Sequence, residues 1–448
     1  MSYQVLARKY RPQQFSEVIG QEHVTRTLRN AIEQQRIAHG YIFSGHRGIG
    51  KTTVARILAM AINCRKAERP TPDPCGACDS CNEIRSGSAV DVMEIDAATN
   101  RGIDEIRELR DAVRYRPARD RYKVYILDEA HQITEAAFNA LLKTLEEPPE
   151  HVIFMLATTQ PEDIPQTIRS RCQHFSFHAV RFDHIVAQLA DLVKKEKLQA
   201  DDEALALLAE AGDGSMRDAL SLLDQAIASA AGRLTAEMVR GLVGSVPSET
   251  LESLLEAVAR NSSEETLRLL DRILSEGHSP AHLARQMVRF LRNAVVAKVT
   301  GEESPLLQIS ADERARARRV AARFSEEDLA RFLQIMLRTH GEIGYRQEQR
   351  FHLELGLLKL VHAQRLLPLE ELLSGARPES SAHAPAKSPV RPQESAPAPQ
   401  RSEAASRPSP FEADRARKGG VQRPGAPPEN ASGGSDARAR ASEDPVVR

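Results

Sequence analysis

The sequence predicts an α/β domain built on a parallel sheet, followed by a region of helices and then a Pro-rich tail. Up to about residue 178, short apolar runs alternate with helix-like stretches, a pattern typical of a parallel sheet with helices on both faces. From about residue 180, apolar residues recur only with helical spacing. After residue 375, large apolar residues become rare.

The strand candidates are short apolar runs that end at polar residues. They are residues 41–44 (YIFS), 90–95 (VDVMEI), 124–127 (VYIL) and 152–157 (VIFMLA). Residues 134–147 predict a helix, because Thr134 is a favourable N-cap and two prolines follow the segment. The apolar face of this helix carries Phe138, Leu141, Leu142 and Leu145.

The helical pattern and the tail give the domain boundaries that we expect. The predicted segments are 1–178 (α/β), 179–243 (helical), 244–374 (all-α) and 375–448 (tail). The tail holds 12 of the 25 prolines, and it cannot bury enough apolar surface to offset its ordering entropy, so we expect disorder. The Arg-rich run at 313–323 predicts a solvated helix face, with a nucleic-acid patch as the alternative.

Composition excludes several classes of protein. The chain of 448 residues balances 61 Lys and Arg against 62 Asp and Glu, which excludes a generally cationic nucleic-acid coat. The start of the sequence has no apolar core of a secretion signal. The apolar stretches of the whole sequence are shorter than the ~18 residues that a membrane-spanning helix needs. We therefore expect a cytoplasmic protein with no membrane partner.

The most specific motif is the Gly-rich sequence GHRGIGKT at 45–52, between a predicted strand and a predicted helix. It fits the pattern G-x-x-x-x-G-K-[ST], in which backbone N–H groups and the helix N-terminus bind phosphate. We expect Lys51 to reach the β- and γ-phosphates and the Thr52 hydroxyl to ligate Mg²⁺. The full set of expected loop contacts is Gly45, His46, Arg47, Gly48, Ile49, Gly50, Lys51, Thr52 and Thr53.

An acidic pair at the end of the third strand candidate complements this loop. Asp128 is expected to hold the Mg²⁺ shell, and Glu129 to polarise the attacking water. This pairing favours an ATPase over a simple nucleotide-binding protein. The alternative is an acidic strand end that caps the following helix.

Three further residues allow two interpretations each. Thr158 ends a predicted strand and could contact the γ-phosphate or simply cap a turn. Arg171 could be a surface charge or an arginine finger that reaches a neighbouring subunit. Arg217 lies in the first turn of a helix, where a cation is unfavourable unless it meets a phosphate; its alternative partner is Asp218.

Four of the five cysteines lie within one polar, Pro-rich insert at 64–81. Without a secretion signal, this grouping favours metal over disulfides. The spacing of Cys64, Cys75, Cys78 and Cys81 suits four-coordinate structural Zn²⁺. A redox C-x-x-C motif is the alternative. Cys172 has no partner at such spacing and is interpreted as a packed free thiol.

Taken together, these residues resemble the gamma/tau family of bacterial DNA polymerase III, the sliding-clamp loader ATPases. The resemblance rests on the following stretches: YRPQQFSEVIGQEHV (10–24), AHGYIFSGHRGIGKTT (38–53), the four-Cys insert, YKVYILDEAH (122–131), residues 138–159, SRCQHF (170–175) and GSMRDALSLLDQ (214–225). They cover most of residues 1–240, and FHLELGLLKL (351–360) is a weaker match. The P-loop and acidic strand alone would indicate only the wider AAA+ class.

The resemblance implies a RecA-like AAA+ domain, a helical lid, an all-α collar and roles for particular residues. It assigns Thr158 to sensor 1, Arg217 to the sensor 2 arginine of the lid, and Arg171 to the trans-acting arginine finger. It makes the four cysteines zinc ligands. The adenine site would be lined by Tyr10, Arg11, Pro12, Val18 and Ile19.

The resemblance also implies partners and a mechanism. It implies a five-subunit ring formed with further copies of the chain and with delta and delta-prime subunits, and small accessory subunits are possible additions. ATP binding would let the ring open a sliding clamp, and hydrolysis on primer–template DNA would release it. The composition after residue 375 suggests a shorter or truncated form of the family. The alternatives are another AAA+ machine, such as a helicase loader or branch-migration motor, and a non-enzymatic ring subunit.

Overall fold

The computed structural model describes residues 3–100, 102–230, 232–301, 304 and 306–363. The predicted tail at 375–448 lies outside the described residues.

The first region contains a parallel sheet, as the sequence predicts. Its strands are β1 (Gly40–Ser44), β2 (Val92–Asp96), β3 (Lys123–Asp128), β4 (Val152–Thr158) and β5 (Gln173–Ser176). In the described chain they form one five-stranded sheet in the order β2-β3-β4-β1-β5, and each neighbouring pair is parallel. The register pairs Ser44 with Thr158 and Asp96 with Asp128, so the carboxyl ends of the strands share one edge.

Helices cover both faces of this sheet. They are α2 (Glu22–Glu33), α3 (Lys51–Asn63), α4 (Asp79–Ser86), α5 (Ile103–Val113), α6 (Glu135–Glu146) and α7 (Gln166–Arg169), with 3-10 turns at Phe15–Glu17, Ala130–Gln132 and Pro161–Asp163. The short helix α1 (Leu6–Lys9) precedes them and does not pack on the sheet. Successive strand residues alternate between two cores: Tyr41 and Phe43 pack on the side of α2 and α3, whereas Ile42 packs on the side of α5 and α6. Burial on both faces explains why the central strands β1, β3 and β4 are mostly apolar, whereas the edge strands β2 and β5 carry exposed polar residues.

A second helical group follows the sheet region and has its own core. It contains α8 (Phe182–Lys195), α9 (Asp202–Gly212), α10 (Met216–Ser229) and α11 (Ala236–Val243), with the short paired strands β6 (Gln199–Ala200) and β7 (Arg233–Leu234). Leu189, Leu208 and Leu223 lie at the centre of this core and are fully buried. Leu6 of α1 also packs there, which joins the N-terminal segment to this group.

The remaining described helices share a third core. They are α12 (Ser248–Ala259), α13 (Ser263–Ser275), α14 (Pro280–Thr300), α15 (Ala311–Arg323), α16 (Glu326–Ile343) and α17 (Gln349–Ala363). Phe332 is fully buried and meets Phe324 edge to face. Gly356 of α17 allows a close helix contact, because a Cβ atom there would lie 2.6 Å from the Thr339 hydroxyl oxygen of α16.

Arginines of the Arg-rich run at 313–323 form ion pairs with a neighbouring helix. Arg316, Arg319 and Arg323 of α15 pair with glutamates of α12 at N–O distances of 2.5, 2.7 and 2.7 Å. The glutamates are Glu249, Glu252 and Glu256. Arg319 and Arg323 keep 52% and 48% of their side chains exposed, which agrees with the interpretation as a solvated helix face. The same arginines also join α15 to α12.

Among the residues that the structure describes, no helix combines the length and the apolarity that crossing a membrane would require.

Candidate nucleotide site

The Gly-rich loop follows β1 directly and depends on three glycines. Gly45, Gly48 and Gly50 have φ values of +136°, +75° and +105°, which residues other than glycine rarely adopt without strain. Helix α3 begins at Lys51, immediately after Gly50. The unpaired N–H groups in the first turn of α3 therefore lie next to the loop, and this arrangement favours the binding of anions.

Lys51 lies beneath the loop rather than in solvent. Its side chain donates hydrogen bonds to the carbonyl oxygens of Gly45 and His46, both at 2.7 Å, and the residue is only 6% exposed. Burial lowers the pKa of Lys51, and the carboxylates of Glu129 and Asp128 oppose that shift. An ammonium group is thus fixed inside the loop, where it would meet a bound anion.

The acidic end of β3 meets the first turn of α3. The Thr52 hydroxyl donates to Asp128 Oδ2 at 2.9 Å, and the Glu129 N–H donates to Asp128 Oδ1 at 3.0 Å. A hydroxyl and a carboxylate form the all-oxygen set that Mg²⁺ prefers. Thr52 and Asp128 therefore fit a Mg²⁺ ion bound next to the Gly-rich loop.

Glu129 adopts an unusual backbone conformation, with a φ of +49°, and its side chain borders the cavity described below. Thr158 at the end of β4 is fully buried, and its hydroxyl accepts the Gln160 N–H at 3.0 Å. Thr158 therefore caps a turn, as one interpretation expects. It also lies 3.2 Å from His131 Nδ1, which connects it to the acidic strand end.

A cavity of about 620 Å³ joins the loop, the acidic strand end, the N-terminal segment and α10. This volume lies in the range of small-molecule sites. Most of the expected nucleotide contacts line it, whereas Gly45, His46, Thr158 and Arg171 do not. The expected residues that line it are Tyr10, Arg11, Pro12, Val18, Ile19, Arg47, Gly48, Ile49, Gly50, Lys51, Thr52, Thr53, Asp128, Glu129 and Arg217.

Cationic side chains converge on this cavity. Arg11 donates to the Thr53 hydroxyl at 3.1 Å, and burial, followed by the charge of Arg56, lowers the pKa of Arg11 to about 10. Arg11 therefore stays charged at neutral pH. Lys51 and Arg217 also line the cavity, so its field favours a polyanion such as a triphosphate.

Helix α10 closes directly onto the loop. The Arg217 N–H donates to the Gly48 carbonyl oxygen at 3.2 Å, and a Cβ atom on Gly48 would lie 1.9 Å from the Ser215 hydroxyl oxygen. Only a glycine at position 48 allows this approach. The contact fixes Arg217, in the first turn of α10, at the wall of the cavity.

Arg171 is held away from this cavity by residues of its own chain. Its guanidinium donates to Glu146 Oε1 and to the Thr167 carbonyl oxygen, both at 2.7 Å, and its side chain is 35% exposed. The guanidinium of Arg171 therefore lies at the surface, outside the cavity. This placement agrees with a surface charge and leaves the side chain accessible to a neighbouring molecule.

The four cysteines of the insert converge as a separate group. Their Sγ atoms lie within 4.8 Å of one another, and a zinc tetrahedron with Zn–S bonds of 2.3 Å needs sulfur atoms about 3.8 Å apart. The backbone N–H groups of Cys75 and Cys78 point at Cys64 Sγ (3.4 Å) and Cys75 Sγ (3.3 Å), as expected around thiolates. Cys64, Cys75, Cys78 and Cys81 therefore fit a zinc ion.

Two residues at the site could not be found from the sequence. Ser215, which is fully buried, packs against Gly48 from a distant part of the chain. His131 lies between Glu129 and Thr158. His131 stands next to the acidic pair in the sequence, but its contact with β4 depends on the order of the strands.

A P-loop after β1, an acidic end of β3 with β4 between the two strands, and a helical lid define a nucleotide-binding protein of the AAA+ class. The chain belongs to the gamma and tau subunit family of DNA polymerase III. Family models match along most of its length: "DNA polymerase III, delta subunit" at residues 20–181, "DNA polymerase III clamp loader subunit, ATPase lid domain" at 184–232, and "DNA polymerase III subunits gamma and tau domain III" at 234–375.

Curated relatives show the same family. The chain is 43% identical over 361 residues to DNA polymerase III subunit tau of Bacillus subtilis, and 42% identical over 371 residues to subunit tau of Escherichia coli. These matches cover 80% and 83% of this chain but only 63% and 57% of the two relatives. Subunit gamma of Buchnera aphidicola is 38% identical and is covered over 100% of its length, with 81% of this chain matched.

Gly48→Ala tests the contact between the loop and the lid. The new Cβ atom would collide with Ser215 and hold α10 off the loop, so we expect ATP affinity to fall by about tenfold or more. Isothermal titration calorimetry with a non-hydrolysable ATP analogue measures this change.

Gly87→Ala is the matched control, because Gly87 has a similar φ of +80° and a Cβ atom there would meet nothing within 4 Å. It carries the same backbone strain of about 1–2 kcal/mol without touching the site. If the two variants bind the analogue equally well, the contact between Gly48 and Ser215 does not shape the nucleotide site.

Proposed function

We propose that the chain is an ATPase subunit of a DNA polymerase III clamp loader. In this role it uses ATP binding and hydrolysis to place a sliding clamp on primer–template DNA. The observation that carries the proposal is the cavity that brings Lys51, Asp128, Glu129 and the lid residue Arg217 together in a member of this family. Membership of the family supports the role in clamp loading, and the residues of the cavity support ATP binding and hydrolysis.

The proposed domain division follows the separate cores. Residues 1–178 would form the RecA-like ATPase domain with the insert at 64–81, residues 179–243 the lid, and residues 244–374 the collar. The three groups of helices each bury their own apolar residues, which supports this division. Residues of the lid and collar helices also form ion pairs, since Asp213 meets Arg285 and Arg289 at 2.8 and 2.7 Å.

In the proposed site, the loop and Lys51 bind the β- and γ-phosphates, and Arg217 binds the γ-phosphate from the lid. Thr52 and Asp128 would hold Mg²⁺, which when bound offsets the charge that develops on the phosphates. Tyr10, Arg11 and Pro12, with Val18 and Ile19, would line the adenine pocket. Because the lid contributes Arg217, nucleotide binding and lid position become coupled.

Glu129 is the proposed base that orients and polarises the attacking water. Its carboxylate borders the cavity, next to the Mg²⁺ ligand Asp128. Thr158 is the proposed sensor at the end of β4. The two side chains come from neighbouring strands, so a small shift between β3 and β4 would change both together.

Arg171 is the proposed arginine finger for the site of a neighbouring subunit. Arg171 does not line the cavity of its own chain, and Glu146 holds its guanidinium at the surface. An exposed ion pair of this kind stabilises by at most about 1 kcal/mol, so a neighbouring triphosphate could replace Glu146. Hydrolysis would then require a correctly closed ring of gamma/tau copies with delta and delta-prime subunits.

The proposed partners are these ring subunits, the sliding clamp and primer–template DNA, with small accessory subunits as possible additions. The four cysteines would hold one structural zinc ion. With all four positions filled by sulfur, no position remains open for catalysis. The ion would order an insert whose residues 65–78 form no helix or strand in the described structure.

Arg171→Ala should separate binding from hydrolysis. We expect unchanged ATP affinity, because Arg171 does not line the cavity of its own chain. We expect hydrolysis stimulated by clamp and DNA to fall by about 10³-fold or more, as for other arginine fingers. Fluorescent-nucleotide binding and steady-state phosphate release measure the two quantities. Lost ATP affinity would show that the finger assignment is wrong.

Cys78→Ser should lower both zinc content and thermal stability, because three thiolates and a hydroxyl hold zinc less tightly than four thiolates. Elemental analysis and thermal denaturation give the two values. Cys172→Ser is the matched control, since Cys172 lies outside the cluster, and it should leave zinc content unchanged. Full zinc content in Cys78→Ser would contradict a four-cysteine site.

The proposed function is tested by the ATPase rate of the ring, reconstituted with its delta and delta-prime partners. We expect strong stimulation only when clamp and primed DNA are both present. A rate indifferent to the clamp would contradict clamp loading and leave an AAA+ ATPase of another pathway.

A further inference from the structure

A nearly buried histidine lies between the two polar side chains proposed for water activation and sensing. His131 Nδ1 is 3.2 Å from Thr158 Oγ1 and 3.6 Å from Glu129 Oε2, and only 8% of the His131 side chain is exposed. These two neighbours come from the ends of β4 and β3. One ring nitrogen therefore faces both.

The local backbone explains why His131 turns back to the site. Glu129 has a left-handed φ of +49°, and the 3-10 turn Ala130–Gln132 follows at once. The Gln132 N–H closes this turn onto the Glu129 carbonyl oxygen at 2.8 Å. The strained conformation of Glu129 is thus part of the turn that brings His131 beside the carboxylate and against β4.

The two distances differ in kind. Thr158 Oγ1, at 3.2 Å, is within hydrogen-bond distance of Nδ1, whereas Glu129 Oε2, at 3.6 Å, lies just beyond it. With its proton on Nδ1, the imidazole would donate to Thr158 and turn the same N–H toward the Glu129 carboxylate, which accepts when ionised. Thr158 Oγ1 already accepts the Gln160 N–H at 3.0 Å. With Nδ1–H as donor, the Thr158 hydroxyl keeps its own proton for another acceptor, such as a phosphate oxygen or the attacking water.

We propose that His131 is a positioning residue that sets the orientation of Glu129 and Thr158 through its Nδ1 atom and so joins water activation to γ-phosphate sensing. This inference rests on the proposed ATPase function and deepens it. His131 does not line the cavity, so it acts through its two neighbours and does not touch the nucleotide.

The test compares two substitutions in the full chain. His131→Asn keeps a polar amide nitrogen at the same number of bonds from Cβ as Nδ1, and it can still donate to Thr158. His131→Phe fills the same space but removes the donor. Both are assembled with the partner subunits, and kcat, KM and the affinity for a non-hydrolysable ATP analogue are measured with clamp and primed DNA.

We expect His131→Phe to lower kcat by about ten- to hundredfold, the scale of a misplaced catalytic group, with the analogue's affinity unchanged. His131→Asn should recover most of kcat. Equal losses in both variants would overturn the role of Nδ1, and so would full activity of His131→Phe. A parallel loss of analogue affinity would show that His131 shapes the binding site instead.

His151→Phe is the matched control. His151 precedes β4, at the opposite edge of the sheet from Thr158, and its substitution should leave kcat and KM unchanged.

The wild-type ring distinguishes failure of the proposed function from failure of the proposed role of His131. A wild-type chain that hydrolyses ATP without responding to clamp contradicts clamp loading, and the variants still test His131 on that rate. A wild-type chain that binds ATP without hydrolysis overturns both.

Discussion

The parallel alignment of β1, β3 and β4 is the constraint on which the site depends. Since the strands point the same way and are adjacent, their carboxyl ends place the Gly-rich loop, Asp128 and Thr158 side by side. The buried alternation of Tyr41, Ile42 and Phe43 between two cores keeps this register, because a slip by one residue would exchange the two faces. The chemistry at the edge of the sheet therefore relies on apolar packing beneath it.

The contact between the Gly-rich loop and the lid depends on a glycine, Gly48. Gly48 lets Ser215 and the Arg217 backbone approach, so the lid rests on the loop itself. Asp213 follows the C-terminal end of α9, two residues before Ser215, and pairs with Arg285 and Arg289 of α14. A short segment of chain, from Asp213 to Arg217, thus contacts both the Gly-rich loop and α14. In the proposed ring, these contacts would carry the state of the site to neighbouring subunits.

The sequence predicted features whose residues lie close together in the chain. The loop at 45–52, the acidic pair and the four-cysteine insert are of this kind, because local spacing determines their geometry. It could not decide the role of Thr158, which depends on the turn to Gln160 and on His131. It also could not show that α15 arginines pair with α12, or that Ser215 meets Gly48, since these contacts arise from the packing of distant segments. The roles of Arg171 and Arg217 stay predictions.

The central claim is that each hydrolytic site is shared between two chains, with Glu129 from one and Arg171 from the next. Rings containing only Glu129→Gln chains or only Arg171→Ala chains should both be inactive. The decisive measurement is the ATPase rate of rings assembled from a mixture of the two, with mixing verified by a tag on one variant. The account predicts recovered activity, since some sites then combine an intact Glu129 with an intact Arg171. Mixed rings as inactive as the pure ones would contradict a shared site.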